Sequence, residues 1–145
     1  MSASRGHVRR FVLDANALVS FFENRPASAI RVRHLLEQAS RSELPVFLSA
    51  VNWGEFFYIA WRLHGETRAR EAEGKLRQLP IVVIAADFDR ATRAGALKQK
   101  HNLGYAEAFA AELAIERHAH LVTADPEFTK LGNTLSVYDL PRYDP

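Results

Sequence analysis

The segment YAEAFAAELAIERHAHLVTADPEF, residues 105–128, decides the fold because it reads as helix, strand and helix start with almost nothing between them. Tyr105 to Arg117 is rich in alanine and carries no helix breaker, so it predicts a helix able to pack closely on its neighbours. His120 to Thr123 is a short apolar run of strand length. Asp125 followed by Pro126 is an N-cap with proline at the first helical position, which opens a short helix through Leu131. A helix that feeds a strand, which then feeds another helix, is the rhythm of a parallel sheet with helical crossovers.

The same rhythm extends outward in both directions. Arg9 to Leu13 is a largely apolar strand ending at Asp14, followed by helical spacing over Ala15 to Glu23. Pro26 and Ser28 punctuate the start of a second helix through about Ser42, with Ile30, Val32, Leu35, Leu36 and Ala39 as its apolar stripe. Pro45 to Ser49 is the next strand. Ala50 to His64 repeats Val51, Phe56, Ile59, Ala60 and Leu63 at helical spacing, broadened by Trp53, Phe57 and Trp61, with Gly65 as C-cap. Glu66 to Gln78 reads as a charged helix, Ile81 to Ile84 as an apolar strand, and Asp87 to His101 as a helix capped by Asp87. Asn102 to Gly104 break the pattern, and Leu135 to Tyr138 is the last strand. The expectation is one α/β domain over residues 1–145, a mainly parallel central sheet with helices on both faces, giving three layers α/β/α.

Composition narrows the chemistry. The 145 residues include no cysteine, which excludes disulfides, a thiolate nucleophile and cysteine-ligated metal centres, and is compatible with a reducing compartment. No apolar run approaches the roughly 20 residues that span a bilayer, and Met1 to Arg10 has no apolar core of a signal peptide, so a cytoplasmic protein without membrane association is expected. Net charge is only +2, yet 15 of the 19 basic residues are arginine, whose planar fork suits phosphate oxygens. An arginine-favouring base composition accounts for the same bias. There is no G-x-S-x-G elbow and no phosphate-cradling G-x-x-x-x-G-K.

In a parallel sheet, ligands collect at the carboxyl ends of the strands. Asp14 directly follows one strand and Asp125 follows another after a single alanine, so both are expected on the same edge. Glu55 lies a little over one turn into the third helix and Glu107 in the first turn of the helix before Asp125. Taken singly, Asp14 and Asp125 read as helix caps and Glu107 as a first-turn acid favoured by the helix dipole. Taken together, four converging carboxylates repel unless a counter-charge joins them. Hard oxygen donors without thiolate suit Mg²⁺ or Mn²⁺ better than zinc, and such a cation can activate a water against a phosphodiester.

FVLDANALVSFF, SAVNWGEFFYI and GYAEAFAAELAIERHAHLVTADPEF together resemble the PIN-domain family, and most closely the VapC-type toxins of bacterial toxin-antitoxin pairs. The resemblance covers nearly the whole chain in the right order, and its helix with T-x-D-x-x-F is the most specific part. It implies metal-site roles for Asp14, Glu55 and Asp125 and supporting roles for Asn16 and Thr123. Glu107 stands where the family usually has Asp, one methylene longer, which puts the metal geometry there in question; Glu112 further along the same helix is a possible substitute ligand and otherwise a solvated acid or one standing behind the ligands. The function implied is an Mg²⁺- or Mn²⁺-dependent endoribonuclease that hydrolyses RNA, inhibited by a cognate antitoxin and commonly a homodimer. Two other readings stand beside it: a non-catalytic binding module with a decayed acidic site, and a DNA-directed nuclease of the same fold. Arg5, Arg9, Arg10, Arg90, Arg93, Lys98 and Lys100 are candidate phosphate contacts or, individually, ordinary solvated charges. His118 and His120 straddle a helix-strand junction and receive no role.

Overall fold

The computed structural model describes residues 9–42 and 44–142; Arg5 lies outside them. The elements run β1 (Phe11–Leu13), α1 (Ala15–Phe22), α2 (Ser28–Ser42), β2 (Val46–Ser49), α3 (Ala50–His64), α4 (Glu66–Leu76), β3 (Ile81–Ile84), α5 (Phe88–His101), α6 (Tyr105–Glu116), β4 (His120–Thr123), a 3₁₀ segment (Pro126–Thr134) and β5 (Ser136–Asp139). The five strands form one sheet in the order β3-β2-β1-β4-β5, and every neighbouring pair is parallel. Leu13 stands opposite Leu48 on one side and Val122 on the other, so the carboxyl ends of β1, β2 and β4 lie side by side.

Alternation along the strands sorts the core into two layers. Phe11, Leu13, Leu48 and Val122 face α1 to α4, while Val12 and Leu121 face α5, α6 and the 3₁₀ segment. The result is a three-layer α/β/α fold. Helix α6 explains its alanines: every residue from Ala108 to Ala114 is buried, because the helix packs against α5, α3 and the sheet at once. Small side chains permit that approach, and Phe109 and Leu113 fill what remains.

Several helix ends follow the sequence. Asp14 accepts from the Ala17 N–H, Ser49 from Val51 and Asp87 from Arg90, each capping the helix that follows. Gly65 closes α3 with φ of 90°, a left-handed value open to glycine. Helix α4 ends at Leu76, two residues short of the expected Gln78, and the segment after Asp125 runs as 3₁₀ turns to Thr134, broken at Gly132.

Two expectations about burial need correcting, and one strand is more open than its composition suggests. Ile30 is 64% exposed and the stripe of α2 uses Ala29 instead, one position earlier and in phase with Val32, Leu36 and Ala39. Leu63, in the last turn of α3, is 55% exposed and lies outside the core. Val82 and Val83 of β3 are 41% and 43% exposed, since β3 is an edge strand only partly covered on either face. In the aromatic run of α3, Phe56 is buried, Trp53 and Phe57 are half-buried in a chain of ring contacts, and Tyr58 and Trp61 reach the surface. Among the described residues no helix is long and apolar enough to cross a membrane.

Candidate functional site

The strand order reverses direction between β1 and β4: the chain builds outward from β1 through β2 to β3, then returns to place β4 on β1's other flank. A crevice opens at such a switch point, outside the carboxyl ends of the strands. Asp14 and Asp125 stand on its two sides. A pocket of about 300 Å³ there is lined by Asp14, Asn16, Asn52, Glu55, Glu107 and Asp125, among others.

Thr123 does not line the pocket; it is fully buried beneath the acids and sets their geometry. Its hydroxyl accepts from the Asp125 N–H at 2.9 Å, so its single proton is directed to Asp14 Oδ2 at 2.5 Å. Asp14 Oδ1 meanwhile accepts from the Ala17 N–H at 2.8 Å. Asp125 caps the 3₁₀ segment through Glu127 N–H at 2.9 Å, so capping and pocket lining coexist in one side chain. Asn16 Oδ1 accepts from Ala124 N–H at 3.2 Å. That bond fixes the amide with its Nδ2 hydrogens left for the pocket.

The carboxylates sense one another. Burial pushes Asp14 up to about 7 from an ordinary 3.8, against the pull of its two hydrogen bonds, with Asp125 and Glu55 adding to the rise. Burial likewise raises Glu55 and Glu107, and the charge of Asp125 raises both further. The pocket therefore holds its negative charge reluctantly.

Glu107 folds back over the start of α6, and a Cβ on Gly104 would lie 3.0 Å from its Oε1. Its Oε2 is buried with no hydrogen-bond partner, and so is Asn52 Oδ1. Among the described residues these are the two buried side-chain acceptors without a donor, and both belong to this pocket. As the side chains stand, no three of the described His, Asp and Glu residues close around one point as direct ligands. The donor set is nevertheless all oxygen, rich in charge and short of donors, which fits a hard divalent cation carrying much of its own water.

Two further residues here escaped the sequence reading. Asn52 lies on the buried face of α3, in line with Phe56 and Ala60 at four-residue spacing, where an amide among apolar partners is the available signal. Arg25 lines both the acidic pocket and an adjoining hollow of about 680 Å³ along α1, α3 and α4. Its guanidinium bonds Glu23 at 2.8 and 3.1 Å, and Glu23 also meets His64 at 3.1 Å.

Other candidates are drawn elsewhere. Glu112 is only 3% exposed and is gripped by Arg90 at 3.2 Å and Arg93 at 2.8 Å, so it is neither a solvated acid nor a lining residue of the pocket. Arg90 and Arg93 are correspondingly engaged in holding α5 on α6. Lys98 donates to the Leu103 carbonyl. Arg9 lies over the rings of Phe11 and Tyr138, and Arg10 bonds the Arg117 carbonyl, both near the opposite edge of the sheet. His120 opens β4 at that far edge, its pKa lowered by burial and by Arg9.

The fold has solved counterparts. It is similar to VapBC2 from Rickettsia felis, determined bound to a promoter DNA fragment, with TM-score 0.71 and 14% identity over 90% of this chain and 98% of that one. It is similar to VapC20 of Mycobacterium tuberculosis, described as a sarcin-ricin loop cleaving toxin, with TM-score 0.67 and 17% identity over 90% of this chain and 99% of that one. A toxin-antitoxin complex from Klebsiella pneumoniae matches with TM-score 0.61 and 23% identity over 88% of this chain and 98% of that one. No curated protein matches by sequence. The PIN domain pattern matches residues 11–133, from β1 into the 3₁₀ segment and across every residue of the acidic pocket, and the chain therefore belongs to the PIN-domain family.

Proposed function

We propose that this protein is a metal-dependent endoribonuclease of the VapC type, the toxin of a toxin-antitoxin pair. The observation that carries the reading is the convergence of Asp14, Glu55, Glu107 and Asp125 on one pocket at the switch point, with oxygens there that lack donors. Similarity to a toxin described as cleaving the sarcin-ricin loop supports RNA as substrate, and similarity to VapBC assemblies supports an antitoxin partner. The family resemblance further suggests a homodimer and a cytoplasmic place of action.

Asp14, Glu55, Glu107 and Asp125 would hold Mg²⁺ or Mn²⁺, partly through water. When bound, the cation supplies Lewis acidity toward a phosphodiester and a lowered pKa for its waters. The chain's own residues do the rest. Thr123 fixes the rotamer of Asp14 and donates to it, so one carboxylate oxygen is oriented whatever fills the pocket. Asn16 turns its Nδ2 hydrogens to a non-bridging phosphate oxygen, and Arg25, which lines the pocket and is held in place by Glu23, presents guanidinium N–H groups on the side from which the RNA backbone would approach. Burial leaves the Asp14 carboxyl partly protonated near neutrality, so binding of a cation would draw that proton off.

The test is cleavage of total RNA by antitoxin-free protein with Mn²⁺ or Mg²⁺, beside EDTA and Asp14→Asn controls. Metal-dependent cleavage that the variant loses is expected. Folded protein that takes up metal and cuts no RNA would return the reading to a binding module, and cleavage of DNA in preference to RNA at matched salt would make it a DNA nuclease.

A further inference from the structure

Asn52 is 1% exposed, yet its two amide ends have unequal fates. Nδ2 donates to the Ala106 carbonyl at 3.0 Å, which fixes the flip of the amide. Oδ1 is buried and without any donor, and Asn52 is among the residues that line the acidic pocket. A buried acceptor left unpaired loses the hydrogen bonds that water would give it, so a helix that could carry an apolar residue at this point needs a reason to keep it. Asn52 precedes Glu55 by one turn on α3, and the carbonyl it holds belongs to the residue before Glu107 on α6. One side chain thus ties the helix of Glu55 to the helix of Glu107 and leaves a neutral oxygen unpaired in the wall of the pocket both acids line.

We propose that Asn52 Oδ1 is a fixed acceptor for the water shell of the divalent cation, so that Asn52 is a neutral member of the metal site and its positioning residue between Glu55 and Glu107. This rests on the metal-site reading above. A neutral oxygen suits the role physically: the pocket already carries four carboxylates, and a fifth charge would add repulsion, whereas an amide oxygen attracts the protons of cation-bound water without it. An ordinary water could also satisfy Oδ1, but it would bring no dependence of cation affinity on residue 52.

Mn²⁺ binding to the full chain, read by the spin signal of free Mn²⁺ and by the thermal shift it produces, tests the assignment without any substrate. Asn52→Leu, close in volume, is expected to weaken Mn²⁺ binding about 10-fold or more, in the range seen when outer-shell partners of metal sites are removed. Asn52→Asp gives up the bond to the Ala106 carbonyl but adds a charged oxygen beside the pocket, and is expected to bind Mn²⁺ at least as tightly as the natural protein while melting lower without metal above neutral pH. If Asn52→Leu binds Mn²⁺ within twofold of the natural protein and only melts lower, Asn52 is a bolt between α3 and α6 and the proposal fails. Should Asn52→Leu not fold, Asn52→Asp decides: Mn²⁺ affinity weakened tenfold would overturn it. Absence of Mn²⁺ binding by the natural protein itself would instead bring down the metal-site reading and this inference with it, which the other outcomes do not.

Discussion

At the scale of single residues, Asp14 concentrates the conflict between folding and function. Its carboxyl is raised to about 7 in the fold, while in the unfolded chain it ionises near 3.8. Between those values unfolding releases a proton, so the unfolded state binds fewer protons and stability of metal-free protein falls as pH rises through that window. At about 1.4 kcal/mol per pH unit, full ionisation of Asp14 costs up to about 4 kcal/mol above pH 7. Asp14→Asn keeps an N-cap oxygen for α1 and removes the charge. It should abolish cleavage and raise the melting temperature of metal-free protein at pH 8 by roughly 3–8 °C, an advantage that shrinks toward pH 4. A variant that melts no higher at pH 8 than the natural protein would show that Asp14 is not the strained group. Thr123→Val removes the hydroxyl that stabilises ionised Asp14, so the pH at which Mn²⁺ binding is half-maximal should move upward; a downward move would contradict the hydrogen-bond assignment. The residue scale is also where the sequence was least legible. Asp14, Glu55 and Asp125 announce themselves by following strands or interrupting an aromatic helix, but Asn52 differs from a surface amide only by its phase with Phe56 and Ala60, and Glu112 differs from a solvated glutamate only by Arg90 and Arg93 on another helix.

Among elements, α6 is the piece on which both layers and the site depend. It presents Glu107 to the pocket from its first turn while Glu112, one and a half turns on, anchors the opposite side to α5 through Arg90 and Arg93. Replacing both arginines by methionine would strand a buried carboxylate and should cost about 3 kcal/mol or more in urea unfolding. Adding Glu112→Leu to that pair should recover much of the loss, because the uncompensated charge goes with it. Mn²⁺ affinity should change in neither variant; if it tracks stability, α5 contributes to the site in a way its contacts do not indicate. The elements themselves were largely legible, since alanine-rich Tyr105–Glu116 and the short runs FVL and HLVT leave little choice of state. The phase of a weak stripe was not: in α2 the small Ala29 rather than the larger Ile30 faces the core, and periodicity alone cannot separate neighbours one position apart when both are apolar.

For the whole molecule, the parallel sheet and its helical layers could be inferred from alternation, whereas the strand order could not, because a crossover leaves no local mark in the sequence. The order explains why β3 is a half-covered edge despite its four apolar residues, and why acids far apart in the chain share a pocket. On the proposed metal-site reading, proton and metal are linked across that pocket. Mn²⁺ binding measured calorimetrically at pH 6 in buffers of different ionisation heat should release close to one proton, falling toward none at pH 8.5; equal release at both would remove Asp14 from the binding event. The pairing of β1 with β4 carries a consequence for how the protein comes into being. A growing chain that has emerged only as far as α6 already contains Asp14, Asn52, Glu55 and Glu107, but neither Thr123 nor Asp125, and β1 still lacks its neighbour on one flank. A chain interrupted before β4 holds three of the four pocket acids and lacks the hydroxyl that orients Asp14, so on the proposed reading such fragments cut no RNA and offer an antitoxin no completed pocket.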